Sequence, residues 1–130
     1  MNKVLAGHRI LVVEDDPKSL DIAVKLLQHY GANTFAAMNG IEGLAFTQAY
    51  KPDLIISDLS MPGMSGWMMI KELKQDVVTQ EIPVVVMSAH DMPRNIRKAE
   101  EIGCNKFLSK PLNPLSFVED IVSVLGQPTR

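Results

Sequence analysis

The sequence predicts a doubly wound α/β sandwich: five parallel strands in the order 2-1-3-4-5, with helices on both faces. Three observations carry that expectation. Short apolar runs alternate five times with segments of helical periodicity, the pattern of βα units rather than of hairpins. The runs are apolar nearly throughout, as strands covered on both sides are. Four of them end in polar residues: Ile10-Leu11-Val12-Val13 in Glu14-Asp15-Asp16, Leu54-Ile55-Ile56-Ser57 in Asp58, Val84-Val85-Val86-Met87 in Ser88, and Lys106-Phe107-Leu108-Ser109 in Lys110-Pro111.

The strands are expected near 8–14, 33–38, 53–58, 83–88 and 105–109. Asn33-Thr34-Phe35-Ala36-Ala37 is small and partly polar, which suits an edge strand. The first helix starts with Asp16 as N-cap and Pro17 at its first position, where a missing N–H costs nothing. Its apolar face is Leu20, Ala23, Leu27 and Tyr30, and Gly31 stops it. Asn39 followed by Glu42 forms a capping-box pattern for the second helix, which ends before Lys51-Pro52. Ser65 caps a third, with Met69, Ile70, Leu73 and Val77 facing inward. A fourth runs from about Pro93 to Ile102 on a thin stripe of Ile96, Ala99 and Ile102. The fifth begins near Pro114 and presents Leu115, Val118, Val122 and Leu125. The spacing of roughly 25 residues per βα unit is that of a βαβ crossover, not of a solenoid.

Right-handed crossovers restrict the topology. With the edge-like second strand outermost, strands 1 and 3 flank the switch point, beyond whose carboxyl ends ligands bind in such sheets. Glu14, Asp15 and Asp58 are expected to converge there, with Ser88 and Lys110 on the next two strands. Asp58 is followed by a Pro62-Gly63 turn, so its carboxylate is expected on a rigid edge, open to solvent.

At 130 residues and 46% hydrophobic composition, the chain suffices for one domain, residues 1–130, with a core from about 8 to 125. A formal net charge of -2 gives no reason to expect nucleic acid or an anionic membrane as partner. The one cysteine, Cys104, has no internal disulfide partner and reads as a packing residue in a reducing compartment. Gly7-His8-Arg9 interrupts the start of the chain, and no stretch approaches the roughly 18 apolar residues of a membrane span. A cytoplasmic protein is expected. His8, His29 and His90 lack metal-ligand spacing. Met61, Met64, Met68 and Met69 around Trp67 read as core and turn packing. The tail Gly126-Gln127-Pro128-Thr129-Arg130 suits either a natural end or a linker stub.

Four segments together, Ile10 to Pro17, Pro52 to Gly66, Val86-Met87-Ser88-Ala89 and Phe107-Leu108-Ser109-Lys110-Pro111, resemble the receiver domain of two-component response regulators, the CheY-like family. The likeness runs from about Arg9 to Leu125, with the motifs in order and in register. It implies that Asp58 is the phosphoryl acceptor, and that Asp15 ligates Mg²⁺ directly while Glu14 acts through a metal-bound water. The Ser60 backbone carbonyl would be the third protein ligand. Ser88 takes the place of the family's hydroxyl and Lys110 that of its lysine, with the Lys110-Pro111 bond expected to be cis. Phe107 takes the aromatic switch position, where it either switches or only packs. Ser88 stands where Thr is commoner and Phe107 where Tyr is frequent, so any switching by Phe107 runs on ring position and burial. Ser60 and His90 fall at positions that tune phosphorylation lifetime, in a direction the sequence does not give.

The function implied is a phosphoacceptor switch. It would take a phosphoryl group from a phosphohistidine of a sensor histidine kinase or a histidine phosphotransfer protein. A shift of the face made by the fourth helix, fifth strand and fifth helix would then control an unidentified downstream protein. The chain would stand alone or belong to a hybrid kinase or larger regulator, acting as a regulator and not as a turnover enzyme. An Asp-based phosphohydrolase of the haloacid dehalogenase type needs a second acid two residues after the nucleophile. Ser60 occupies that position, and the acceptor follows the third strand instead of the first. A docking-only receiver would have lost Asp58 or Lys110, and both are present. Flavin binding would need a Ser/Thr/Gly-rich phosphate loop after the first strand, where Glu14-Asp15-Asp16 stands.

Overall fold

The computed structural model describes residues 3–61 and 63–126. The expectations for Pro62 and for the tail beyond Gly126 lie outside the described residues. Within them the chain forms β1 (Arg9–Val13), α1 (Pro17–His29), β2 (Asn33–Ala37), α2 (Gly40–Tyr50), β3 (Leu54–Ser57), α3 (Gly66–Gln75), β4 (Val84–Ser88), α4 (Pro93–Glu101), β5 (Lys106–Ser109) and α5 (Pro114–Leu125). The strands make one parallel sheet ordered β2-β1-β3-β4-β5. That is the doubly wound arrangement the sequence predicts, with β2 at an edge.

Alternate strand residues feed two cores, because successive side chains leave opposite faces of a sheet. Ile10, Val12, Leu54, Ile56, Val85, Met87 and Leu108 pack against Ala23 and Leu27 of α1 and Phe117, Val118, Ile121 and Val124 of α5. Leu11, Val13, Ile55, Val84 and Val86 pack against Met69, Ile70 and Leu73 of α3 and Ala99 of α4. The first core also takes in Leu5, fully buried ahead of β1, whose N–H donates to the Tyr30 carbonyl. Among the described residues no helix is long and apolar enough to cross a membrane.

The caps are those expected. Asp16, Asn39 and Ser65 accept the N–H groups of Ser19, Glu42 and Met68. Glu42 reaches back to the N–H of Met38, one residue before the cap, and not to that of Asn39.

Three inward assignments are corrected. Val77 is 77% exposed, because α3 ends at Gln75. Asp76 turns extended and accepts the Val78 N–H with its own carboxylate, while buried Thr79 donates to the Leu73 carbonyl. Leu115, in the first turn of α5, is exposed. That helix buries Phe117, Val118, Ile121 and Val124, leaving Val122 and Leu125 half-buried. Both phases of the helix are apolar, so periodicity alone does not choose between them. Of the clustered methionines, Met69 and Met61 are buried but Met68 is exposed.

Candidate functional site

The sheet ladder continues past the strand ends and fixes the backbone of the polar residues there. Glu14 N–H donates to the Ala37 carbonyl at 2.9 Å, Asp58 N–H to that of Val13 at 3.0 Å, and Lys110 N–H to that of Ser88 at 2.9 Å. Each side chain therefore leaves a backbone held by its neighbouring strand. This is the carboxyl edge beside the switch point between β1 and β3, the crevice of a doubly wound sheet.

Three carboxylates meet there. One oxygen each from Glu14, Asp15 and Asp58 lies within 4.8 Å of the others. Glu14 is fully buried, Asp58 is 8% exposed and Asp15 is half-buried. Asp58 Oδ1 accepts the N–H of Leu59 at 2.7 Å, and Asp58 Oδ2 faces Lys110 Nζ at 3.3 Å. Lys110 also donates to Glu14 Oε1, whose Oε2 accepts the Asp16 N–H at 3.2 Å. The ammonium thus bridges the first and third strands from the fifth. The Lys110-Pro111 peptide is cis, as the resemblance implies.

The electrostatics follow from burial and charge. Burial above all raises the Glu14 carboxyl above its ordinary range, and the Asp58 charge adds to it against the Lys110 hydrogen bond. Burial works against the Lys110 ammonium, but the Glu14 hydrogen bond and the charges of Asp58 and Glu14 outweigh it and raise its pKa. Asp16 stays outside the group as a cap, its carboxyl lowered by the hydrogen bonds from Ser19. Burial pushes the Cys104 thiol up to about 11, as a packing residue requires and a nucleophile would not.

Ser88 is fully buried at the end of β4, and its Oγ accepts the His90 N–H at 3.0 Å; among the described residues its hydroxyl proton has no acceptor. Ser60 is exposed, two residues past Asp58. Phe107 stands apart, half-buried against the second core and paired in register with Val86. Trp67 packs at the same core with Lys98 Nζ 4.5 Å from its ring centroid.

Sequence reasoning passed over the glycines that shape the crevice. A Cβ on Gly66 would lie 2.0 Å from the Asp58 carbonyl oxygen, and one on Gly40 would lie 2.4 Å from that of Met64. The visible signal is their position: each directly follows a helix cap, Ser65 or Asn39.

Three carboxylates against one ammonium leave the crevice formally two charges negative. Among the described residues every buried side-chain polar atom has a partner, so the group is polar-satisfied but charge-unbalanced. An all-oxygen donor set with excess negative charge fits a hard divalent cation.

The family model described as the response regulator receiver domain matches residues 10–122. The polar-differentiation response regulator DivK of Brucella anthropi is 32% identical over 117 residues, covering 90% of this chain and 95% of DivK. The receiver domain of a signal transduction histidine kinase from Syntrophus aciditrophicus superimposes with a TM-score of 0.84 at 31% identity, covering 92% of this chain and 90% of that one. Vibrio cholerae chemotaxis protein CheY4 gives a TM-score of 0.86 at 27% identity, covering 92% and 99%.

Proposed function

This chain belongs to the response regulator receiver family of two-component signalling, and from that premise we propose that it is a switch phosphorylated on Asp58. The observation that carries the reading is the position of the Asp58 carboxylate. It is fixed at the end of β3, grouped with Glu14 and Asp15, with Lys110 Nζ 3.3 Å from Oδ2. Leu59 N–H holds Oδ1 at 2.7 Å while Lys110 reaches Oδ2 only at 3.3 Å, so Oδ2 is the oxygen more readily freed to attack. The Oδ2–P bond forms as the P–N bond of a phosphohistidine breaks. The bonding pair stays on the imidazole nitrogen, which takes a proton from solvent, and an acyl phosphate remains on Asp58. Such transfer needs positioning and charge stabilisation more than covalent help. Lys110 Nζ and the proton of the Ser88 hydroxyl supply donors to the phosphoryl oxygens.

Glu14, Asp15, Asp58 and the Ser60 carbonyl would hold Mg²⁺, which when bound offsets the charge that the phosphoryl oxygens bring. The donors would be a sensor histidine kinase or a histidine phosphotransfer protein, and the receptor a downstream protein. The likeness to a histidine kinase's own receiver supports the alternative that this receiver works within a hybrid kinase.

Switching follows from the new acceptors. Ser88 and Lys110 turning to the phosphoryl group would disturb β4, β5 and the neighbouring Phe107, and through them the face of α4, β5 and α5. Full conversion needs about 5.5 kcal/mol of differential stabilisation. Two hydrogen bonds to charged groups, at roughly 1.5–3 kcal/mol each, reach that only at the top of their range, and below it partner binding contributes the rest.

Incubation with acetyl phosphate and Mg²⁺ should add one phosphoryl group to the wild type, stable to acid and labile to alkali, and none to Asp58→Asn. Intact-mass spectrometry reads the result. An unmodified wild type, or a mutant modified to the same extent, would end the reading.

A further inference from the structure

α4 is thinly held. Ala99 is its only fully buried residue, and its N-cap Met92 makes no side-chain hydrogen bond to the helix. No acid stands in its first turn, where Arg94 lies, and in its last turn Glu100 and Glu101 outweigh Lys98. These charges oppose the helix dipole, which favours anions at the start and cations at the finish.

The helix nevertheless begins from a loop with three polar ties. Ser88 Oγ accepts the His90 N–H at 3.0 Å, and the His90 carbonyl accepts Asn95 Nδ2 from the first turn of α4 at 3.1 Å. Ser109 Oγ donates to Asp91 Oδ2 at 3.1 Å. Only the last tie reaches β5. Ser109 pairs in register with Ser88 and immediately precedes Lys110, whose own N–H is bound to the Ser88 carbonyl. The strand end that carries Lys110 is thus linked by one side-chain contact to the loop that starts α4.

We propose that Asp91 and Ser109 are positioning residues, their hydrogen bond being the tie through which the Lys110 strand end holds the start of α4. Its acceptor is charged, which strengthens it, although both groups are open to water. Besides buried Ala99 and the Lys98 ammonium over the Trp67 ring, little anchors the helix, so it opens locally at small cost and one such bond sets a measurable part of its protection. The consequence for switching, that displacement of Lys110 reaches α4 through this tie, rests on the proposed phosphoacceptor role. The tie itself does not.

Amide hydrogen exchange on the unphosphorylated full chain in EDTA tests it independently of any chemistry at Asp58. Ser109→Ala and Asp91→Ala should each speed exchange at residues 96–99 by roughly two- to fivefold, with residues 23–27 of α1 unchanged. The double variant should exchange no faster than either single one, and Ser109→Thr, which keeps the hydroxyl, should restore wild-type protection. Unchanged α4 exchange in either single variant, additive effects, equal acceleration in α1, or no recovery with threonine would overturn the proposal.

Discussion

The Lys110 ammonium bonds the fully buried Glu14 carboxylate more closely than it bonds Asp58, from which it stands 3.3 Å away. The lysine therefore neutralises the deepest charge of the crevice and only secondarily that of Asp58. Removing it strands a carboxylate that water does not reach, whereas removing both members leaves only Asp58 without its more distant ammonium.

Lys110→Met should accordingly destabilise the metal-free protein by about 1–3 kcal/mol, below the value for a fully buried pair because the lysine side chain is partly open to water. Glu14→Gln combined with Lys110→Met should recover most of that loss. Urea unfolding in EDTA checks the cycle, and an equal loss in the single and double variants would contradict the pairing.

The same pair gives a pH dependence. Lys110 is raised above its ordinary 10.5, so its contribution is fully present below that value and lost as pH climbs through the folded pKa. The stability gap between wild type and Lys110→Met should be flat through neutral pH and close only above 10.5. On the acid side burial raises Glu14 above 4.5. The penalty for stranding its carboxylate should fade as it takes a proton, at a pH higher than that. Denaturant midpoints across pH in EDTA give the curve.

The fold and the polar edge were legible because both rest on local rules. Apolar runs mark strands, Asp16, Asn39 and Ser65 mark helix starts, and parallel topology delivers every strand's carboxyl end to one side. Tertiary choices were not legible. Periodicity could not select the phase of α5, since Leu115 and Phe117 head equally apolar stripes. Nor could it foresee that Asp76 and Thr79 would end α3 before Val77. The preference of Lys110 for Glu14 depends on side-chain reach across three strands, which no spacing encodes.

Leu5 was also missed, because Val4-Leu5-Ala6 is too short an apolar run to carry a period. It is fully buried in the core shared by α1 and α5. Leu5→Ala should cost roughly 2–4 kcal/mol from lost burial and the cavity left behind. Thermal unfolding measures it; a cost within a few tenths of a kcal/mol would mean that this segment seals nothing.

Gly66 is the strictest steric requirement at the site. An added Cβ would sit 2.0 Å from the Asp58 carbonyl oxygen and 2.9 Å from Leu59 Cα, both backbone atoms that no rotamer change can move. Gly66→Ala should therefore cost about 3 kcal/mol, the upper end for overpacking, and should displace Asp58 enough to slow its phosphorylation by acetyl phosphate. Gly63 provides the contrast. Its φ of 75° penalises a side chain, but nothing lies within 4 Å of the added atom. Gly63→Ala should lose about 1 kcal/mol, the cost of a left-handed backbone, and keep its phosphorylation rate. Equal rates in the two variants would show that the close approach of Gly66 to Asp58 does not set the acceptor's position.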